Sequence, residues 1–146
     1  MPLISITRLH VRSVRYLPSF VAYTYRSTRQ VKRSAGFVHG QLAVEWPRGF
    51  WTITAWETAE AMRAFRNAEP HLTAMRKLLT WCDESSFMHY PDTDATLPSC
   101  DEAHARMVSG GRVSKVLHPS PAHQAGKTAG ARAPVGGPVL HPTGSA

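Results

Sequence analysis

Histidine is the residue type in this chain best suited to acid–base chemistry, because an imidazole titrates close to neutral pH. His71 has a distinctive position among the eight histidines, directly after Pro70 and at the restart of an interrupted helical pattern. There it can act as a general base. No carboxylate lies at a spacing that would orient it, so capping and packing remain alternative roles. His89, on a later predicted strand, would share a cavity with His71 if it points inward.

Aromatic side chains would supply the other half of a site, a flat apolar wall for an aromatic ligand. The candidates are Phe50, Trp56 and Phe65, with His39 on the preceding strand. Trp51 and Trp56 are five residues apart in one predicted strand, so they point to opposite faces of the sheet. An ordinary place in the core is the alternative for each tryptophan, and a structural role is the alternative for His39.

Metal and disulfide chemistry find little support in the residue spacing. Cys82 and Cys100 belong to no CxxC pair, which indicates free thiols and neither a zinc site nor a disulfide framework. The histidines of the C-terminal part show no spacing with cysteine or carboxylate that matches a metal site. We therefore expect no bound metal.

The charge is distributed unevenly along the chain. The net charge is +7, and all ten acidic residues lie between Glu45 and Glu102, so the first 44 residues carry only basic charges. Such an asymmetry is compatible with nucleic-acid binding. However, the basic residues are spread over two predicted elements and no recognition motif accompanies them. A solvated basic helix face explains them more simply, and nucleic acid is not the expected partner.

Nothing in the sequence indicates an anchor or an export signal. No run approaches the roughly 18 apolar residues that a membrane span requires. The first ten residues lack the basic and apolar segments of a secretory signal. We expect a cytoplasmic protein without a membrane partner.

Hydrophobic periodicity predicts the elements that position these residues. The predicted order is a strand (3–10), an amphipathic helix (18–33), two strands joined by a turn (37–46 and 50–56), a helix capped by Thr58, a second helix after a break at 67–69, and a strand (85–90). A solvated loop is expected at 81–84, and a short helix (100–108) and strand (112–117) follow. From Pro119 onward Pro, Gly, Ala, Ser and His dominate without periodicity, which predicts a disordered tail.

This order predicts an α+β fold of the ferredoxin-like type, with a four-stranded antiparallel sheet and its helices on one face. The domain would span residues 1–118, with 91–118 as an extension, and the tail would span 119–146. The hairpin over 37–56 carries apolar residues on both faces, so the second face of the sheet also needs a cover. A second copy of the chain is the simplest cover, which predicts a homodimer.

The run from Gly49 to Glu57, the segment from Ala59 to Phe65, and then His71 and Met75 together resemble the antibiotic biosynthesis monooxygenase type of dimeric α+β barrel. In that family an aromatic-bearing strand precedes a helix that contains a histidine. The resemblance implies Trp56 as the aromatic residue at the end of that strand. Its members include cofactor-free oxygenases and haem-binding oxygenases. Haem-degrading relatives use an asparagine from the first strand, which the segment 3–10 lacks.

The resemblance implies a small monooxygenase that acts on an aromatic or polyketide-like substrate without a tightly bound cofactor. Phe50, Trp56 and Phe65 would form the apolar walls, and His71 would remove a proton from the substrate. Two alternatives stay open. One is a haem-binding oxygenase with His71 or His39 as the axial ligand, and the other is a non-catalytic dimeric module that binds a ligand or a partner.

Overall fold

A computed structural model describes residues 1–143, which form one antiparallel sheet with helices packed on it. The strands are β1 (Leu3–Val11), β2 (Phe37–Glu45), β3 (Gly49–Trp56), β4 (Cys82–Pro91), β5 (Arg112–Val113) and β6 (Val135–Leu140). The helices are α1 (Leu17–Lys32), α2 (Ala59–Arg66), α3 (His71–Trp81), α4 (Cys100–Gly110) and α5 (Pro121–Gln124), with a 3₁₀ turn (Val14–Tyr16) before α1. The strand order β5-β4-β1-β3-β2-β6 confirms the predicted ferredoxin-like arrangement of the four central strands and adds a short strand at each edge.

The break between α2 and α3 follows from local sequence signals. The Thr58 hydroxyl caps α2 by accepting a hydrogen bond from the Ala61 N–H at 3.1 Å. Helix α2 ends before Asn67, and α3 starts at His71, directly after Pro70. A proline is tolerated at the start of a helix but not in its interior. The break therefore places His71 in the first turn of α3.

Strand β4 begins immediately after α3, where a solvated loop was expected. Within the strand, Asp83 Oδ1 lies 2.6 Å from His10 Nδ1, and Glu84 accepts a hydrogen bond from Arg8 at 2.7 Å. Glu45 accepts two further hydrogen bonds from the same guanidinium, each at 2.8 Å. Burial alone would raise the pKa of Glu45 and Glu84. Hydrogen bonds from Arg8, a further one from Trp51 to Glu45 and from Ser120 to Glu84, and the nearby positive charge together outweigh burial and lower both pKa values. Both acidic residues of β4 thus have partners on β1, Asp83 in His10 and Glu84 in the buried Arg8.

Both faces of the sheet are covered by this one chain. Helices α1, α2 and α3 lie on one face. On the other face, Ile4, Ile6 and Ile53 pack against Ala103 and Met107 of α4. The sequence predicted helices on one face and a second copy of the chain on the other. The chain itself provides that cover, so the apolar reason for expecting a homodimer does not apply.

The C-terminal segment is part of the same sheet. Strand β6 pairs antiparallel with β2, with Leu140 opposite Gly40 and Val135 opposite Val44. The side chain of Leu140 is buried. A disordered tail from residue 119 was expected, and the structure differs because β2 offers a free edge whose backbone groups the tail can pair with. Residues 144–146 of that predicted tail lie outside the described part of the chain.

None of the helices in residues 1–143 has the length and apolar character that crossing a membrane would require.

Candidate functional site

A cavity of about 600 Å³ lies between the sheet and helices α1 to α3. Residues of two apolar clusters line it. Phe20 and Trp81 belong to the cluster near the start of α1 and the end of α3. Trp56 and Leu140 belong to the cluster near the break between α2 and α3. Because Pro138 and Leu140 come from β6, the C-terminal segment contributes to the cavity wall.

The floor of the cavity is polar at its centre. Ser5 and Thr7 of β1 lie opposite Thr54 and Thr52 of β3, and all four line the cavity. His89 of β4 lies opposite Ser5 on the other side of β1. A sheet face under helices is normally apolar, so the hydroxyl groups that alternate with isoleucines in β1 are a signal, visible in the sequence, of a polar surface inside the fold. They provide donors and acceptors for polar groups of a ligand.

His71 is held at the edge of this cavity as a neutral base. Its backbone N–H donates to Oε1 of Gln30 at 2.9 Å, and its Nδ1 lies 3.2 Å from the carbonyl oxygen of Arg66. A carbonyl oxygen only accepts, so Nδ1 carries the hydrogen and Nε2 keeps its lone pair. Burial lowers the pKa of His71 below the usual 6.5, aided by the charge of Arg66, despite the opposing hydrogen bond. At neutral pH the imidazole is unprotonated at Nε2.

The aromatic residues predicted from the sequence line the same cavity as His71. The ring of Phe65 lies between those of Trp56 and His71, with centroid distances of 5.4 Å and 4.6 Å. Phe50 lies near the other end, where its ring centroid is 4.7 Å from that of Phe20. The structure therefore brings Phe50, Trp56, Phe65 and His71 together around one space.

His39 is not part of the cavity. Its Nε2 lies 2.7 Å from the carbonyl oxygen of Ala95, in the segment that covers the opposite face. The strand register explains the difference, because Phe37 pairs with Trp56 and His39 pairs with Ala55, which leaves one extra residue between them. Such a bulge reverses the side to which the following residues point. Simple alternation placed Phe37 and His39 on one face, and the bulge separates them.

His89 is a second imidazole at the cavity. Burial lowers its pKa, and the positive charges of Arg66 and Arg63 lower it further. Its ring centroid is 5.7 Å from that of Phe87 on the same strand. His89 and Arg66 both line the cavity. The site therefore contains two neutral imidazoles and one guanidinium group.

A group that could ligate a metal lies elsewhere. One ligand atom from each of His10, Asp83 and Glu84 lies within 4.8 Å of the others. These atoms already have partners, since His10 contacts Asp83 while Glu84 accepts from Arg8 at 2.7 Å and from Ser120 at 2.8 Å. The guanidinium beside Glu84 would repel a cation. This arrangement fits an ion-pair network better than a metal centre.

Several solved structures with a similar fold are named as monooxygenases or oxygenases. A putative antibiotic biosynthesis monooxygenase from Nitrosomonas europaea matches with a TM-score of 0.57 and 18% identity, over 63% of this chain and 90% of its own. SnoaB, a cofactor-independent oxygenase from Streptomyces nogalater, matches in a variant form with a TM-score of 0.54 and 20% identity, over 67% of this chain and 98% of its own. A third structure, named an antibiotic biosynthesis monooxygenase, has a TM-score of 0.56 and 11% identity, over 62% of this chain and 98% of its own.

No family model matches the chain. No curated protein sequence matches it either. At these low identities the structural likeness shows a shared fold, so the resemblance predicted from the sequence is confirmed at that level. The Nitrosomonas europaea structure covers 63% of this chain, and the part it leaves uncovered is similar in length to the segment after β4. The activity must be argued from the cavity itself.

Proposed function

We propose that this protein is a small monooxygenase that acts on an aromatic or polyketide-like substrate without a bound cofactor. The observation that carries the proposal is the neutral imidazole of His71 at the edge of a cavity with aromatic walls. The structural neighbours with related names support the same class of reaction. The substrate and the turnover are the parts that experiment must establish.

The chain's own groups can supply the proton transfer that such a reaction needs. Nε2 of His71 would accept a proton from the activated CH₂ group of an anthrone-type phenol, and the electron pair would remain on the ring carbon. The carbanion would then reduce O₂, and a C–O bond would form to give a hydroperoxide that takes the proton back from the imidazolium. Loss of water would leave a carbonyl group. One oxygen atom of O₂ would end in the product and the other in water.

The walls of the cavity suit a flat substrate of this kind. Phe50, Trp56 and Phe65 present aromatic surface, and a substrate packed against them would displace water from around the reacting carbon. Ser5 and Thr7 on the floor could hydrogen-bond the phenol or ketone oxygen and so fix the ring relative to His71. Because His71 is neutral, it can take a proton at the pH at which the fold is stable.

Oxygen uptake by the metal-stripped protein with anthrone-type phenols tests the proposal. The sharpest variant is His71→Asn, since the asparagine amide can still donate to the Arg66 carbonyl while the Nε2 base is removed. We expect a loss of rate of roughly 10²–10⁴-fold, the usual contribution of a general base. The matched control is His39→Gln, whose amide can still donate to Ala95 and which lies on the opposite face. It should retain the wild-type rate.

Two other results would redirect the proposal. Phenol binding without oxygen uptake in the folded wild-type protein would indicate a ligand-binding module. A Soret band that forms on titration with haem and disappears in His71→Asn would indicate a haem-binding oxygenase with His71 as the axial ligand. Uptake that His71→Asn leaves unchanged but His89→Asn abolishes would transfer the role of base to His89.

A further inference from the structure

A second concave site lies outside the cavity, between α1 and the start of α2. It is a groove of about 900 Å³. Small residues form its floor: Ala35, Gly36, Ala61, Ala64 and Ala68. A Cβ added at Gly36 would lie 2.5 Å from Cβ of Ala61, and Gly36 has a φ of +80°. The glycine therefore allows the two segments to approach closely enough to form the groove.

The rim of the groove carries concentrated positive charge. Arg26, Arg29 and Arg33 of α1 and its C-cap line it, and all three are exposed. The ion pairs found within residues 1–143 involve none of them. Guanidinium groups in this state keep donors available for an anion such as a carboxylate or phosphate.

Two acidic residues line the same groove, and neither forms an ion pair with its arginines in the described residues. Glu69 accepts hydrogen bonds from the backbone N–H of Thr73 at 3.3 Å and from its hydroxyl at 2.5 Å, so its carboxylate is engaged at the start of α3. Glu57 is exposed and makes no ion pair with the groove arginines in the described residues. Three arginines against two glutamates leave the groove with a net positive charge of one.

The groove lies next to the cavity, and the two spaces share part of their walls. Phe65 lines both spaces. The guanidinium of Arg26 lies 5.2 Å from the ring centroid of Tyr23, which also lines the cavity. Gln30 lines the groove, donates to the carbonyl oxygen of Phe65 at 3.0 Å, and accepts the N–H of His71. The groove and the cavity therefore lie on two sides of Phe65.

We propose that the groove binds a phosphate or carboxylate group of the substrate while the apolar part of the same molecule lies in the cavity. This inference rests on the proposed function and narrows the substrate to an aromatic or polyketide-like molecule with an anionic tail. The anion could be the substrate's own carboxylate or the phosphate of a carrier to which it is attached. Both present oxygen atoms that a guanidinium binds in the same way.

Three ligands that share one ring system separate what the groove and the cavity each contribute to the binding affinity. Naphthol is neutral near pH 7, naphthoate adds a carboxylate, and naphthyl phosphate adds a phosphate. Isothermal titration calorimetry with the full chain should show that at least one anionic ligand binds about tenfold or more tightly than naphthol, as expected for charge-assisted hydrogen bonds. Preference between naphthoate and naphthyl phosphate distinguishes a free acid from a phosphorylated carrier.

The groove variant is Arg26→Gln/Arg29→Gln/Arg33→Gln, which should bind all three ligands with similar affinity. The control variant is Arg112→Gln/Lys127→Gln/Arg132→Gln, which removes the same charge from exposed positions outside the groove. It should keep the preference for the anionic ligands. Naphthol binding should be unchanged in both variants, which also reports that they are folded.

Several results would overturn the inference. Equal affinity of the wild-type protein for naphthol and both anions would show that the groove does not select charge. An equal loss in the groove and control variants would assign the effect to net charge. Displacement of naphthyl phosphate by a single-stranded oligonucleotide that binds far more tightly would assign the arginines to nucleic acid. Oxygen uptake with neutral anthrones separates a failure of this inference from a failure of the proposed function. That uptake depends on His71 and does not depend on the groove.

Discussion

The partly buried imidazole of His71 makes the stability of this fold depend on pH. The pKa of His71 lies below 6.5 in the folded protein because of burial, whereas the unfolded chain has an ordinary histidine pKa. As the pH falls below about 6.5, the unfolded chain binds the proton first, and this group lowers the free energy of unfolding by up to about 1.4 kcal/mol per pH unit. His71→Asn should reduce that slope. Urea unfolding at a series of pH values on both sides of 6.5 measures it.

The control for this experiment is His141→Asn, because His141 is exposed. It should show the wild-type slope. His89 also has a lowered pKa, so part of the slope should remain in His71→Asn. A His71→Asn slope equal to that of the wild type would show that the imidazole is not buried in the neutral form.

Single residues were predictable from the sequence where strand alternation alone decides their position. Trp51 and Trp56 lie on opposite faces as their spacing required, with Trp51 in the cluster under α4 and Trp56 at the cavity. Pairing across long distances in the chain was not predictable. Glu84 lies in β4 because Arg8, 76 residues away, binds it. No local pattern contains that information.

At the scale of elements, β6 is the part of the structure whose role can be tested most directly. Leu140 is 3% exposed and packs with Phe37 and Trp56, whereas Val139 on the same strand is 53% exposed. Leu140→Ala should lower the free energy of unfolding by about 2–5 kcal/mol, because it removes buried methyl groups and enlarges the cavity. Val139→Ala should change it by less than about 0.5 kcal/mol. Urea unfolding of both variants makes the comparison.

Equal and small effects of the two substitutions would mean that β6 does not pack against the sheet in solution. If Leu140→Ala is destabilised as expected, its affinity for naphthol should also fall, because Leu140 forms part of the cavity wall. Val139→Ala should bind naphthol like the wild type.

Elements with strong local signals were predicted within a few residues, and those that depend on partners were not. The break at Pro70 and the cap at Thr58 are local, and both positioned α2 and α3 correctly. The sequence Val-Gly-Gly-Pro-Val-Leu of β6 has little strand propensity of its own, and it is a strand because the edge of β2 is available. The bulge before His39 likewise depends on pairing with β3.

At the scale of the whole molecule, the segment after β4 occupies the face of the sheet that a second copy was expected to cover. Ala95, Ala103 and Met107 pack there against strands β1 and β3. The same segment then returns along the sheet edge as β6. A protein that covers both faces of its own sheet has no large apolar surface left at that position to drive association.

We therefore predict that the full chain is monomeric at micromolar concentration, with a mass near 16.1 kDa by light scattering after size-exclusion chromatography.

Ala103→Asp places a charge in the contact between α4 and the sheet, which should destabilise the protein by several kcal/mol and expose the face that includes Ile4 and Ile53. That variant should bind a hydrophobic dye or associate. Ala105→Asp, on the exposed side of the same helix, should remain monomeric and stable. A wild-type dimer that Ala103→Asp leaves intact would show that the chains associate through another surface, and the self-covered face would then not determine the oligomeric state.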